Sequence, residues 1–219
     1  MTRVTLKVEV PVCGFRPRWS GQYQDTHPVP PPSTVFGMLL SLAGVEKPDA
    51  PDFAGARLAL ALEGEPSPGR VFRKFRRVPQ SDRSADPLTS RRPDWQELLL
   101  NLVLWVWVED GDAPRSLGAE VARALSPATR TGVVRQGGLS LGESSHLVNE
   151  VSLQAPRGRR GRFLRRDPLG PLCLPVWTCH PDGPPGRART GRFTLTEEEP
   201  LRRPRVGDAR WITIHGPEA

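Results

Sequence analysis

His27 and Tyr23 are the residues whose types and spacing come closest to acid–base chemistry. They lie four positions apart in one loop, where an imidazole and a phenol could act as base and acid on a ribose hydroxyl. Metal-independent ribonucleases usually pair such a group with a lysine or a second histidine, and neither stands beside His27 in the sequence. A binding or structural role for His27 is therefore favoured, and RNA cleavage is the alternative.

A glycine-rich stretch from Arg135 to His146 could bind phosphate. Glycines such as Gly137 and Gly138 let the backbone approach a ligand closely and present its N–H groups. The stretch lacks the Gly-Lys-Ser/Thr ending of a P-loop, which argues against nucleotide hydrolysis. Its Ser144 is not part of a Gly-x-Ser-x-Gly elbow, which argues against a hydrolase. A tight structural connection explains the same glycines equally well.

Cysteine and histidine do not combine into a metal site in this sequence. The three cysteines, Cys13, Cys173 and Cys179, form no Cys-x-x-Cys pair. Cys173, Cys179 and His180 are too closely spaced for a standard zinc site and lack a fourth ligand. We therefore expect buried free cysteines, no disulfide framework, no metal and no cofactor.

Positive charge is concentrated in two segments. Residues 70–92 carry eight cations against two aspartates, and residues 157–166 carry six arginines and no acid. The whole chain has a formal net charge of +7, so the remainder is slightly acidic. GC-rich coding could raise the number of arginines but does not explain their clustering. Because each cation placed on a phosphate releases counterions, the clustering favours a nucleic acid partner over ordinary solvated loops.

Length and composition exclude several classes of protein. The chain has 219 residues, enough for one domain with additions. Hydrophobic residues make up 37% and charged residues 25%, which is typical of neither a membrane protein nor a disordered tail. The N-terminus has no apolar signal core, and the longest apolar stretch, Leu98–Val108, is too short to cross a bilayer. We predict a reduced, cytoplasmic protein with no membrane partner.

Apolar periodicity predicts the secondary structure of the first two thirds of the chain. Alternating apolar residues predict strands over Thr2–Val10, Arg57–Glu63, Leu98–Glu109, Thr131–Arg135 and Leu147–Leu153. Helical spacing predicts helices over Thr34–Ala43 and Arg115–Ser126. Ser33 should cap the first helix and Gly44 should end it. Because this helix is apolar nearly all round, both of its faces should be covered.

The predicted strand over Leu98–Glu109 should have two distinct faces. Its even-numbered residues from Leu98 to Val108 should point one way, with Trp105 and Trp107 on the other side. Two aromatics on one sheet face could stack bases, as in RRM folds. The alternative, which we favour slightly, is that the C-terminal residues with Trp177 and Trp211 cover that face.

The element order predicts the fold class. Strand–helix–strand, a basic insertion, then strand–helix–strand is the split βαβ plan, so we predict an α+β, ferredoxin-like (RRM-like) domain over residues 1–155. Residues 156–219, the C-terminal extension, alternate Arg/Gly/Pro linkers with short predicted strands. These strands cover Leu172–Thr178, Arg192–Thr196 and Arg210–Ile214.

One block of the sequence resembles a known family. Residues His27–Gly44 read His-Pro-Val-Pro-Pro-Pro-Ser-Thr-Val-Phe-Gly-Met-Leu-Leu-Ser-Leu-Ala-Gly and follow a loop with Trp19 and Gln22. This frame resembles the CRISPR-associated Cas5 family, RAMP-superfamily subunits of type I Cascade complexes. The stretch Gly138–Val151 is similar to the DevS-like subgroup of type I-B and related systems. The resemblance covers about residues 1–153.

The resemblance implies a role at one end of a ribonucleoprotein. Such subunits hold the repeat-derived 5′ tag of the guide RNA (crRNA) beside the large subunit and the first backbone subunit. Their inserted β-hairpin, the thumb, corresponds to about residues 70–95. Transferred to this chain, the RNA-binding residues lie in the first loop, the helix start, the thumb and the glycine stretch. They are Arg16, Arg18, Trp19, Gln22, His27, Ser33, Thr34, Arg70, Arg73, Lys74, Arg76, Arg77, Arg91, Arg92, Arg135, Gly137 and Gly138.

The resemblance also bears on catalysis. One branch of the family, in type I-C systems, cleaves precursor guide RNA with a Tyr, Lys and His constellation. None of the three lysines of this chain stands beside a histidine. We therefore expect a non-enzymatic subunit with no catalytic residue, and a metal-independent endoribonuclease that uses His27 and Tyr23 is the alternative. A third hypothesis is that residues 157–166 contact target DNA near its flanking motif, although a solvated surface loop is the stronger expectation.

Overall fold

A computed structural model describes residues 2–17, 20, 23–76, 91–129, 137–178 and 188–216, with the backbone alone at 74–76 and 91–93. Over these residues the fold is mixed α/β with a mostly antiparallel sheet. The strands are β1 Val4–Cys13, β2 Arg57–Leu62, β3 Ser67–Arg76, β4 Arg91–Glu109, β5 Glu150–Leu153, β6 Arg160–Arg166, β7 Leu172–Trp177, β8 Arg189–Leu195, β9 Glu199–Pro200 and β10 Ile212–Thr213. The helices are α1 Pro32–Ala43 and α2 Leu117–Leu125, with a 3-10 helix over Lys47–Phe53.

The strands form one sheet in the order β5-β1-β4-β2-β6-β8-β7. The long strand β4 is central, because its second half pairs antiparallel with both β1 and β2. Its first half pairs with β3 instead and forms a β-hairpin. Short strands β10 and β9 add to β2 and β6. No helix in the described ranges is long and apolar enough to cross a membrane.

The two α-helices cover one face of the sheet. The alternating apolar residues of β1 and of the second half of β4 are buried beneath them, as their spacing predicts. Helix α1 is covered on its other side too, where β7 brings Trp177 to 5.8 Å from Phe36 between ring centroids. This confirms the prediction that a helix apolar nearly all round is covered on both faces.

The start of α1 differs from the prediction. The helix begins at Pro32, whose missing N–H and fixed φ suit the first helical position, so Pro31 and not Ser33 is the N-cap. No side chain caps this end, and Ser33 is buried. At the other end, Gly44 adopts φ 73° and ends the helix as predicted. Helix α2 starts after Ser116, whose hydroxyl accepts a hydrogen bond from the backbone N–H of Ala119.

The alternation predicted for β4 holds only in its second half. Asn101 has φ 58°, in the left-handed region that asparagine tolerates better than most residues. In the part of β4 that precedes Asn101, Leu99 is buried, whereas Leu98 and Leu100 are only half-buried. The prediction that Leu98 and Leu100 share the buried face of Leu102 is therefore wrong.

The opposite face of the sheet is covered by the C-terminal extension. Trp105 and Trp107 are each 1% exposed, and Phe163 stacks on Trp107 at 5.1 Å between ring centroids. Leu201 and Trp211 complete this cluster. The interpretation that the extension covers these tryptophans is confirmed for Trp211, but Trp177 packs on α1 instead. A base-stacking role for Trp105 and Trp107 is excluded in this fold because both side chains are buried.

Other element boundaries shift by a few residues. The strand predicted over Leu147–Leu153 is shorter, and the one predicted over Thr131–Arg135 lies outside the described residues. Strand β6 is not predicted by the sequence, because six arginines within residues 157–166 are typical of a charged surface loop. In β6, Gly161 lies so close to β2 that a Cβ there would be 2.2 Å from the carbonyl oxygen of Leu62. That close approach positions Phe163 on the tryptophan cluster.

Candidate nucleic-acid interface

The basic segment forms the β3–β4 hairpin. Ten residue pairs join its strands, from Ser67 opposite Leu100 to Arg76 opposite Arg91. The backbone therefore brings four predicted RNA-binding residues, Lys74, Arg76, Arg91 and Arg92, to the far end of the described hairpin. Like charges directly opposite each other destabilise a strand pair, so an anion bound there would relieve the repulsion. Arg77 lies outside the described residues.

One face of the hairpin carries the side chains of Arg70, Phe72, Trp95 and Glu97 and combines aromatic rings with charge. We call it the outer face. Phe72 and Trp95 are 51% and 48% exposed and meet edge to face with ring centroids 5.3 Å apart. The Arg70 guanidinium lies 5.4 Å from the centroid of the Tyr23 ring and 3.7 Å from a carboxylate oxygen of Glu97. Exposed rings and cations together can stack bases and bind phosphates.

The first loop lies directly against this hairpin. The backbone N–H of Gln24 donates to the carbonyl oxygen of Trp95 at 2.8 Å, and the N–H of Glu97 donates to the carbonyl oxygen of Gln24 at 2.8 Å. Arg16 holds the loop from within by donating to the carbonyl oxygen of Ser20 at 3.1 Å. The structure thus brings together two of the predicted RNA-binding regions. Arg18, Trp19 and Gln22 lie outside the described residues.

The opposite face of the hairpin, which carries Arg73 and Gln96, we call the inner face. A polar network that the sequence did not predict connects it to the glycine stretch. Arg73 donates to the Gln96 side-chain oxygen at 2.6 Å, and the Gln96 amide donates to Glu143 at 2.7 Å. His146 accepts a hydrogen bond from the backbone N–H of Gly14 at 3.2 Å and lies 3.9 Å from Glu143. Glu143 therefore links the glycine stretch to the hairpin, and His146 links the same stretch to Gly14 after β1. No spacing rule relates positions 73, 96 and 143.

Replacing Glu143 with alanine tests this network. The substitution removes the acceptor of the Gln96 amide and one of the acceptors of the Arg73 guanidinium, and we expect the free energy of unfolding to fall by about 1 kcal/mol. This is the low end of the range for such groups because the Glu143 side chain is 35% exposed. Urea denaturation measures the change, with the exposed Glu150→Ala as the control. Equal midpoints for the two variants would contradict a linking role for Glu143.

The remaining predicted RNA-binding residues lie at the start of α1 and in the glycine stretch, and their exposure differs. Ser33 is buried at the start of α1, and the N–H groups of Thr34 and Val35 already donate to Pro31 at 2.9 and 3.1 Å. The helix start therefore offers little to a phosphate. Gly137 and Gly138 are exposed. Arg135 lies outside the described residues.

His27 and Tyr23 lie in different surroundings. His27 is 7% exposed, and burial lowers the pKa of its imidazole, which keeps it neutral at pH 7. The Tyr23 hydroxyl donates to Glu97 at 2.7 Å, and this hydrogen bond raises the pKa of the phenol. Tyr23 thus acts as a hydrogen-bond donor that supports the outer face.

The described residues contain no group of three metal-ligating side chains. Cys13 is buried and free, and desolvation raises the pKa of its thiol to about 12, which keeps the thiol protonated. Cys173 is also free, whereas Cys179 and His180 lie outside the described ranges. The predicted burial is thus found for Cys13, whereas Cys173 is only half-buried.

The fold of this chain is similar to the folds of two solved structures. A chain of a CRISPR RNA-guided surveillance complex matches with a TM-score of 0.61 and 15% identity, covering 89% of both chains. A crystal structure of a Cas protein matches with a TM-score of 0.50 and 17% identity, covering 99% of this chain and 100% of the other. The fold is therefore one found among CRISPR-associated proteins.

The sequence identifies the family. No family model matches the chain. A CRISPR-associated protein Cas5 from Myxococcus xanthus (strain DK1622) is 34% identical over 213 residues, which cover 93% of this chain and 96% of that protein. The chain belongs to the CRISPR-associated Cas5 family. The resemblance of residues His27–Gly44 to that family is thereby confirmed.

Proposed function

We propose that this chain is a non-catalytic, guide-RNA-binding subunit of a type I Cascade complex, of the DevS-like, type I-B-related subgroup. It holds the repeat-derived 5′ tag of the crRNA and caps one end of the complex, beside the large subunit and the first backbone subunit. The observation that carries this proposal is the direct hydrogen bonding of the first loop to the basic hairpin at Gln24. The relatives support it by their association with CRISPR systems and with a surveillance complex.

The geometry suits a single-stranded RNA end. A strand whose bases are unstacked can place them on exposed rings while its phosphates meet cations. Phe72, Trp95 and Tyr23 supply rings, and Arg70 lies among them. The cations of Lys74, Arg76, Arg91 and Arg92 continue the same hairpin outward. The hairpin thus carries both rings that can stack bases and cations that can bind phosphates.

The strand order supports the split βαβ layout as part of the proposal. Four described strands fit this plan, β1, β2, β4 and β5, and they lie in the order β5-β1-β4-β2. Helix α1 connects β1 to β2, and α2 lies between β4 and β5 along the chain. In this layout residues 1–155 form the ferredoxin-like domain, and residues 156–219 extend its sheet through β6.

The absence of catalysis is the second part of the proposal. A ribonuclease acting through His27 and Tyr23 needs a base and an acid on either side of a ribose. Burial of His27 and the hydrogen bond from Tyr23 to Glu97 support a structural role for both residues. The proposed location of the protein is the cytoplasm.

Reconstitution with the cognate guide tests both parts. The chain is assembled with its neighbouring subunits and a guide RNA carrying either the natural or a scrambled 5′ tag, and it is incubated separately with precursor RNA containing the cognate repeat, in both cases in the presence of EDTA. We expect assembly with the natural tag, a clear loss of assembly with the scrambled one, and intact RNA in both cases. Equal assembly with either tag would contradict tag recognition. Cleavage of precursor RNA that His27→Ala abolishes would instead establish the endoribonuclease.

A further inference from the structure

A groove on the C-terminal extension is lined by arginines. It lies between the residues that lead into β6 and the segment 200–203, and it encloses about 550 Å³. Half of its ten lining residues are arginines and none is acidic. These arginines are Arg157, Arg159, Arg160, Arg202 and Arg203.

A tight turn positions Arg157 at the rim of the groove. The backbone N–H of Arg159 donates to the carbonyl oxygen of Pro156 at 3.3 Å, which closes a four-residue turn. Gly158, the third residue, has φ 69°, a conformation that favours glycine at this turn position. Arg157 is thereby fixed as the second residue of the turn, and it is exposed.

Arg202 is positioned from the other wall. The N–H of Leu201 donates to the carbonyl oxygen of Arg159 at 2.9 Å, and the Leu201 side chain is buried in the tryptophan cluster. Anchoring Leu201 inward leaves the next residue, Arg202, exposed. The two rims are thus held together by backbone and core contacts, independently of any ligand.

The five arginines divide into two groups. Three of them have acidic partners: Arg159 is 3.0 Å from Glu63, Arg160 is 3.6 Å from Glu198 and Arg203 is 3.5 Å from Glu109. Arg157 and Arg202 have no side-chain hydrogen bond or ion pair within the described ranges. The paired arginines hold the walls, and the unpaired ones leave positive charge at the rims.

We propose that this groove is a second nucleic-acid site, which binds a sugar–phosphate backbone through Arg157 and Arg202. The planar guanidinium suits phosphate because it can donate two parallel hydrogen bonds. No residue of the groove belongs to the hairpin, the first loop or the glycine stretch, so the inference goes beyond holding the guide tag. The backbone can come from RNA or from a DNA duplex, and the experiment separates these sources.

The test compares two double variants of the full-length chain. R157A/R202A removes the unpaired groove arginines, and R192A/R205A removes two exposed arginines of the same extension that lie outside both the groove and residues 157–166. Binding is measured over a series of KCl concentrations with two fluorescent probes, a single-stranded RNA without repeat sequence and a DNA duplex. Neither probe carries the guide tag, so the result does not depend on the function proposed for the hairpin.

The expected result is a loss specific to the groove. R157A/R202A should bind at least one probe about tenfold more weakly than R192A/R205A, with a salt dependence shallower by about 1.5 on logarithmic axes. The probe that is affected identifies RNA or duplex DNA as the source of the backbone. Equal affinities of the two variants for both probes would overturn the proposal.

Discussion

Replacing Arg76, Arg91 and Arg92, the three arginines at the far end of the described hairpin, with alanine should weaken binding of the guide tag on the order of a hundredfold near 100 mM salt. The backbone pairing places these residues at the far end of the described hairpin, with Arg76 directly opposite Arg91. If each arginine meets one phosphate of single-stranded RNA, the slope of log affinity against log salt should fall by about 2. Titration of the repeat-derived RNA at several salt concentrations measures both quantities.

The matched control is the triple variant R165A/R166A/R205A. It removes the same charge from the C-terminal extension, and its residues line neither the hairpin nor the groove. We expect this control to change the affinity by less than about threefold, the size of a non-specific charge effect. Equal weakening by the two triple variants would show that net charge, and not the hairpin, holds the RNA.

The aromatic residues of the outer face should contribute to RNA affinity without contributing to its salt dependence, unlike the cations. Phe72→Ala combined with Trp95→Ala removes two exposed rings and no charge. Stacking of a base on an aromatic ring contributes about 1–3 kcal/mol, so affinity should fall while the salt dependence stays unchanged. A changed slope in this variant would contradict a stacking role.

Trp107→Ala should have the largest effect on stability. The side chain is 1% exposed and lies between the sheet and the C-terminal extension, where Phe163 stacks on it. Removing a buried tryptophan costs about 3–5 kcal/mol because it leaves a cavity as well as losing buried surface. For a chain of this size the melting temperature should fall by roughly 6–20 °C.

The same strand supplies the control for this prediction. Trp95 lies on β4 as well but is 48% exposed on the hairpin. Trp95→Ala should therefore shift the melting temperature by only a few degrees, about what a surface substitution produces. Comparable losses from the two substitutions, measured by calorimetry, would show that the extension does not bury Trp107 as described.

Local patterns predicted the helices and the core strands because the signal lies within one element. Helix α1 is apolar nearly all round, and that alone required cover on both faces. Trp105 and Trp107 alternate with buried leucine and valine, so a second buried layer was foreseeable. The basic hairpin followed from the clustering of charge together with the family resemblance.

The features that were missed depend on contacts distant in sequence. The change of face at Asn101 arises from a positive φ that no hydrophobic period reveals. Strand β6 carries only two apolar side chains, Phe163 and Leu164, among arginines, and its place depends on the close approach of Gly161 to β2. The network through Gln96 and Glu143 joins residues 47 positions apart. Such pairings become visible only once the sheet has brought the strands together.

The continuity of β4 has a consequence for binding affinity. At Leu100 the strand pairs with Val12 of β1 and with Ser67 of β3, so this residue belongs to the core sheet and to the hairpin at once. The direction of the hairpin is therefore fixed when the domain folds, and its orientational entropy is lost at that stage. A ligand that meets the hairpin does not have to order it, so more of the contact energy remains as affinity.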